Sequence, residues 1–490
     1  MADAYRRLFW LIIATYLILA AAYALMTPLW QAPDEPAHFN NIVGIARTGH
    51  LPVLRPGDYD QTYLEQLKAE KFPPELSIAP VRYEGHQPPL YYLLMLPLWL
   101  IFQPAGVNIQ VWALRLANVV IGAVGIGLIE LGVRRLFPRR PHLSLLAMGF
   151  AAFLPMHIAM NASINNDALA ELFIAAVMVR LLGHVSEEES SQGAWALTGL
   201  LTGLALLTKF QTYFLVLLTI GVWGWQARQG KWNTRTWQNL AALLLPMIIL
   251  PLPWWLRNMM QYGLTDPLGL KRHTAVVVGQ PRTGDWIASQ GWFAFGDRFI
   301  TFTFRSFWGV FGWMGAFMDV RVYMGLTILA ILMLTGVFYQ LHRWYRRELT
   351  LSPAQTRGLW LLIAQIFAVT AAFLWYNLDF VQHQGRYLFP ALLPISLAAA
   401  AGLLGVFSLP GSRWGIRAAL VLLVGGLVLG VIEGDVNKWW IAMTGAAIVV
   451  LIGRQWLRQL EAFWWGLAIE GMMALTALYA LLGVILPQLR

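Results

Sequence analysis

Two adjacent carboxylates, Asp34 and Glu35, stand between prolines in Pro33-Asp34-Glu35-Pro36-Ala37-His38-Phe39, and His38 follows three residues later. Carboxylates beside an imidazole supply the groups that general acid–base chemistry or cation binding needs. Pro36 suits the first turn of a helix, where a missing N–H costs nothing, and Gly49 suits a helix end. The spacing predicts a helix from Pro36 to about Thr48. Its positive end would favour ionised Asp34 and Glu35 by roughly 0.3–1 kcal/mol each. The plain alternative is a helix cap with a neighbouring acid. The catalytic reading of Asp34 and Glu35 rests on their place beside an apolar segment, with His38, Asn40 and Asn41 following on the same short helix.

Further polar groups recur at segment ends. Glu84-Gly85-His86-Gln87-Pro88-Pro89-Leu90-Tyr91-Tyr92 closes the loop that Asp34 opens, so Glu84 or His86 would return beside Asp34. The plain reading makes His86 and the tyrosines interface anchors. Asn166 and Asp167 end the turn Asn161–Asp167, where Asp167 would cap the next helix or add a second acid to the site. Asp34 and Asp167 together are candidate oxygen ligands for a divalent cation, although no ligand spacing supports a preformed cage. Lys209, Arg257 and Arg386 each lie at an end of an apolar run, and Tyr387 follows Arg386. A lysine there can merely snorkel. Three cations opposite one or two carboxylates also suit a phosphate-bearing substrate, which arginine grips with a fork and lysine as a point charge. No nucleotide-binding loop and no Ser-His-Asp spacing appears.

These groups need a scaffold. Of the 490 residues 58% are hydrophobic and 12% charged, with a mean hydropathy of +0.57. Such a chain is an all-α polytopic membrane protein. Its +10 charge falls in short loops between apolar segments, which points to anionic headgroups and topology and not to nucleic acid. Cysteine is absent, so neither disulfides nor thiolate metal sites arise. Arg6 and Arg7 precede the first apolar run, which lacks a small-residue cleavage site and is expected to stay as a spanning helix.

Apolar runs near 8–29, 112–133, 143–160, 165–184, 194–208, 210–226, 239–257, 320–341, 357–376, 387–408, 417–433, 437–453 and 463–486 are candidate spans. The stretch 90–102 is too short to span comfortably and contains Pro97. Reading it as interfacial or re-entrant places Arg134–Arg140, Arg228/Lys231/Arg235, Arg343/Arg346/Arg347, Arg413/Arg417 and Arg454/Arg458 on one face, with Glu187–Glu189. The positive-inside rule favours that solution. The expectation is thirteen spans with the N-terminus cytoplasmic. The outer face then receives the loop 30–111, the turn Asn161–Asp167, Lys209, the aromatic loop 258–319 and the segment Asn377–Arg386. Residues 1–408 form the expected catalytic module, and 409–490 the C-terminal packing helices.

The acid of the first outer loop, the stretch His86-Gln87-Pro88-Pro89-Leu90-Tyr91-Tyr92 and Leu206-Leu207-Thr208-Lys209 together resemble the GT-C glycosyltransferases. These include protein O-mannosyltransferases and aminoarabinose transferases. Pro33–Phe39 with Gln384-Gly385-Arg386-Tyr387-Leu388-Phe389-Pro390 resembles more closely an uncharacterised bacterial branch of predicted membrane proteins. The resemblance spans about residues 1–400. It implies an inverting transfer of sugar from a polyprenyl-phosphate donor to a lipid, glycan or protein acceptor at the outer face of the bacterial cytoplasmic membrane. Asp34 matches the family's first-loop acid, Lys209 and Arg386 its donor-phosphate cations, and Asn166-Asp167 its second acidic region. Gln87 stands where many relatives read His-Pro-Pro, so His86 has no clear counterpart. Metal use varies within the family, which leaves a divalent cation open. Two other readings stand beside this one: a ligase or polymerase using lipid-linked oligosaccharide, and a transporter or flippase. The latter would place ionisable residues at the midplane.

Overall fold

A computed structural model describes residues 2–186, 190–229 and 232–490, so Glu187–Glu189 and Lys231 lie outside the described residues. The described chain is helical almost throughout, with one two-stranded hairpin, Val310–Phe311 against Ala316–Phe317. Eight helices are long and apolar enough to cross a membrane, and two bent pairs, Pro141–Ala152 with Pro155–Asn161 and Thr234–Ile249 with Leu252–Tyr262, raise the number to ten. All thirteen expected segments are helical. The difference in count arises because Gln192–Leu206 and Phe214–Gln229 have only 15 and 16 residues, and Lys438–Trp456 is insufficiently apolar at its polar ends.

Helix Leu90–Phe102 keeps its Pro97 and is about 20 Å long, short of the roughly 30 Å of a bilayer core. It buries Tyr91, Tyr92, Met95 and Trp99 and turns Leu93, Leu94 and Ile101 outward. That is the face-split of an interfacial helix. The loop 258–319 forms two helices, Leu270–Val276 and Thr283–Trp308. The latter is broken at Gly291, whose φ of 84° only glycine adopts readily. Trp292 and Phe293 beside the break are exposed.

Two apolar cores result. The larger fills the helix bundle, and the smaller underlies the first loop, gathering Trp30, Phe39, Ile42, Tyr83, Tyr92 and Trp99 against Leu114 and Ile164. The boundary at 408/409 does not separate two units. Tyr23 donates a 2.6 Å hydrogen bond to the Ala477 carbonyl, and Glu470 packs against Gly149 in helix Pro141–Ala152. The last helix is therefore part of the bundle's interior.

The small core is pinned to the bundle by one buried ion pair. Arg115 and Glu35 are both fully buried. The Arg115 guanidinium donates to both Glu35 oxygens at 2.7 and 2.6 Å, and its other N–H groups reach the carbonyls of Ala24, Thr27 and Pro28. Glu35 also accepts from the backbone N–H groups of Trp30 and Ile164. Every donor of the fork is used, which is the condition under which a buried pair is tolerated. Removing one partner strands the other, so Arg115→Met should destabilise the protein by about 3–5 kcal/mol. Thermal unfolding in detergent should show the drop, and an unchanged melting temperature would refute the clamp.

Candidate active site at the first loop

The predicted helix is observed as Glu35–Thr48, with Gly49 at its end in the left-handed conformation at φ 69°. Asp34 precedes it, also left-handed at φ 66°, and its side chain makes no capping bond. This conformation is rare outside glycine and asparagine-like residues. It turns the carboxylate away from the helix end. Tyr83 donates to one Asp34 oxygen at 2.7 Å, and Arg386 lies 3.3 Å from the other. The Asp34 side chain is 31% exposed, whereas that of Arg386 is 6% exposed. A presented carboxylate backed by a phenol and a guanidinium is the result.

Glu35 is not presented. Its complete burial with Arg115 and its four donor groups make it a structural residue, and the catalytic assignment is corrected accordingly. His38, one turn along, is buried, and its Nδ1 lies 2.8 Å from the Tyr92 hydroxyl. Burial lowers the His38 pKa, with the Lys209 charge acting the same way. Glu84 returns to this corner as expected. Asn41 donates to its backbone carbonyl, while its carboxyl oxygen Oε2 is buried without a partner. Burial pushes the Glu84 pKa up and the Asp34 charge adds to this, against His38 and Lys209.

Lys209 forms an ion pair with Asp167, and both are largely shielded. Arg386 pairs with Asp34 and lines a cleft together with Asp167, and its Nε donates to Gln384 at 2.7 Å. Its guanidinium lies over the Tyr387 ring, 5.3 Å from the centroid. Gly385 permits this placement: a Cβ there would strike the backbone of Thr303 and Phe307. Asp167 does not cap its helix through its own side chain, because Asn165 accepts from the Asp167 N–H. Asn166 donates to Gln87 and to the Thr208 carbonyl, tying the acidic turn to the lysine segment.

One expectation fails. Arg257 is elsewhere: its guanidinium holds the carbonyls of Leu51 and Pro52 and stacks on Trp254. The site therefore has two cations and not three. The suggested cation between Asp34 and Asp167 finds Arg386 and Lys209 already beside these carboxylates, and among the described residues no group of three or more His, Asp or Glu is placed to hold a metal ion. Tyr83, Gln384 and Arg115 escaped the sequence reading. Only Arg115 carried a signal, an ionisable side chain within an apolar span.

His86 faces His273 instead of Asp34, with ring centroids 4.2 Å apart. Burial lowers their pKa values to about 4 and about 3. Both rings are thus neutral in the fold, while an unfolded histidine protonates near 6.5. Stability contributed here is complete above that value and is lost as pH falls toward about 4, since the unfolded state then binds more protons. Thermal melts from pH 7 to 4.5 should show the loss, and His273→Gln should flatten the slope; an unchanged slope would count against the pair.

Residues 86–255, roughly a third of the chain, match the model of the dolichyl-phosphate-mannose-protein mannosyltransferase family. No curated protein matches the chain. Among solved structures, ArnT from Cupriavidus metallidurans in the apo state is similar at 16% identity, with a TM-score of 0.53. The same protein bound to undecaprenyl phosphate is similar at 16% identity and a TM-score of 0.55. Each likeness covers 96% of this chain and 76% of that one. These likenesses show the fold: the chain has the GT-C fold of membrane glycosyltransferases.

Proposed function

We propose that the protein transfers a sugar from a polyprenyl-phosphate donor to an acceptor hydroxyl or amine at the outer face of a bacterial cytoplasmic membrane. The observation that carries this reading is the partly exposed Asp34, held by Tyr83 and by Arg386, which itself lines a cleft with Asp167. The resemblance to polyprenyl-phosphate-using enzymes supplies the donor class. The acceptor class is a lipid, glycan or protein.

In this reading the acceptor heteroatom attacks the sugar's anomeric carbon, its proton passes to Asp34, and the bond to the phosphate oxygen breaks. Polyprenyl phosphate leaves with the bonding electrons, and the anomeric configuration inverts. Arg386 and Lys209 neutralise the charge that grows on the leaving phosphate, a contribution usually among the largest in such reactions. Lys209 begins paired with Asp167, so its positive charge is already fixed in place before a phosphate arrives. Glu84, its pKa raised by burial and its Oε2 left without a partner beside His38, is the further group that would help to position the acceptor. Arg257 supports the loop from outside and has no part in phosphate binding.

Purified protein supplied with a panel of polyprenyl-phosphate sugars tests the reading. Asp34→Asn should lower the transfer rate by about 10²–10⁴-fold. Undiminished transfer would remove Asp34 from the chemistry, and lipid movement between leaflets without any transfer would replace the enzyme by a transporter. Donor KM should rise about tenfold or more in Lys209→Met, as a charge-assisted contact is lost. In Arg257→Gln it should stay within about twofold, the range of a surface change remote from substrate. Equal effects at the two positions would restore the third cation.

A further inference from the structure

Left-handed backbone gathers at one junction of the outer loops. Six non-glycine residues adopt it among the described residues, and five of them are Trp30, Asp34, Lys71, Phe72 and Met314. A residue with a Cβ keeps this conformation only where surrounding contacts impose it. Here the contacts converge on Trp313, at the tip of the hairpin 310–317. Its ring stacks on Phe72 with centroids 5.8 Å apart, and its Nε1 donates to the Trp30 carbonyl at 2.9 Å. Gln31 donates to the Lys71 carbonyl at 3.2 Å across the same seam.

Trp30 is held on both sides of its Cα. Its N–H donates to Glu35 Oε2 at 3.1 Å, and its carbonyl accepts from Trp313. Glu35 is itself fixed by Arg115. Residues 31–34 therefore bridge two anchored ends, with Trp30 at φ 65° entering the bridge and Asp34 at φ 66° closing it. Without the indole donor the Trp30 carbonyl loses this partner, and the backbone there can relax toward the ordinary regions. Such a change swings the bridge, and Asp34 moves with it.

The hairpin also has a fixed relation to the other half of the site. It follows directly on helix Thr283–Trp308. In that helix Ser306 Oγ accepts from the Gly385 N–H at 2.8 Å, one residue before Arg386, and Thr303 and Phe307 back the same glycine. One element thus touches the Arg386 segment along its side and the Asp34 loop at its end. We propose that Trp313 is a positioning residue, whose indole N–H holds Trp30 in its left-handed turn and thereby sets the Asp34 carboxylate against Arg386. The proposal rests on the reading of Asp34 as the group that receives the acceptor's proton, and it adds the residue that places that group.

Trp313→Phe keeps a ring on Phe72 and removes the donor. It should lower kcat about tenfold while the donor KM and the binding of bare undecaprenyl phosphate stay within about twofold. In the Asp34→Asn background the same change should cost less than about twofold, because the two residues act in series. A full tenfold loss in that background would overturn the positioning role, and so would donor binding weakened as much as kcat. Amide exchange on the full protein in nanodiscs needs no turnover. Residues 30–40 should exchange about tenfold faster in Trp313→Phe, with the bundle helices unchanged. Unaltered exchange would overturn the contact's role, whatever the transfer assay shows. Faster exchange in a protein that transfers no sugar from any donor would reject the transfer reading, and the positioning role with it, while the contact itself stands.

Discussion

The Arg115–Glu35 pair is the constraint on which the first loop depends. A guanidinium inside an apolar helix is tolerable only when its charge and all its N–H groups are met. Here they are met by a carboxylate and three carbonyls from the end of the first helix. The same carboxylate receives the N–H of Ile164 from the acidic turn. One side chain therefore sets the distance between the first helix, the short helix Glu35–Thr48 and the turn leading to Asp167. Because Glu35 is held inward, its neighbour Asp34 must face another way, and the left-handed backbone at Asp34 completes that turn.

Beyond the clamp the charges come in pairs that differ in completeness. Arg115 and Glu35 are saturated and closed to solvent. Lys209 and Asp167 are matched, yet retain some exposure. Arg386 is paired with Asp34, and the Asp34 end stays open. This gradation from closed to open separates the saturated framework from the side chains left accessible. Arg257 stands outside it, spent on the loop backbone.

Much of this was legible in the sequence because local physics decides it. Pro36 and Gly49 marked the short helix to within one residue, and thirteen residues with a proline marked Leu90–Phe102 as a helix too short to span comfortably. Lys209, Asp167 and Arg386 were visible as ionisable groups at the ends of apolar runs. The division of labour between Asp34 and Glu35 was not legible, since adjacent acids look alike until a partner 80 residues away selects one of them. Tyr83 carried no signal, being one tyrosine among 16. The span count is a matter of length as well as of pattern: all thirteen apolar runs are helical, and among the described residues eight to ten of them are long and apolar enough to cross a membrane.

The expectation that polar chemistry gathers at one face was also too simple. His157, Glu171 and Glu470 lie within helices, yet their circumstances differ. Glu470 is enclosed by Gly149 and its surroundings with no partner for either oxygen. Glu171 is partnered and lines the cleft that Asp167 and Arg386 share. Burial alone would have ranked Glu470 first. What distinguishes Glu171 is connection: its carboxylate meets His157 and stands a single turn from Asp167, so it belongs to a chain of polar side chains that leads to the Asp167 and Arg386 corner, whereas Glu470 stands alone.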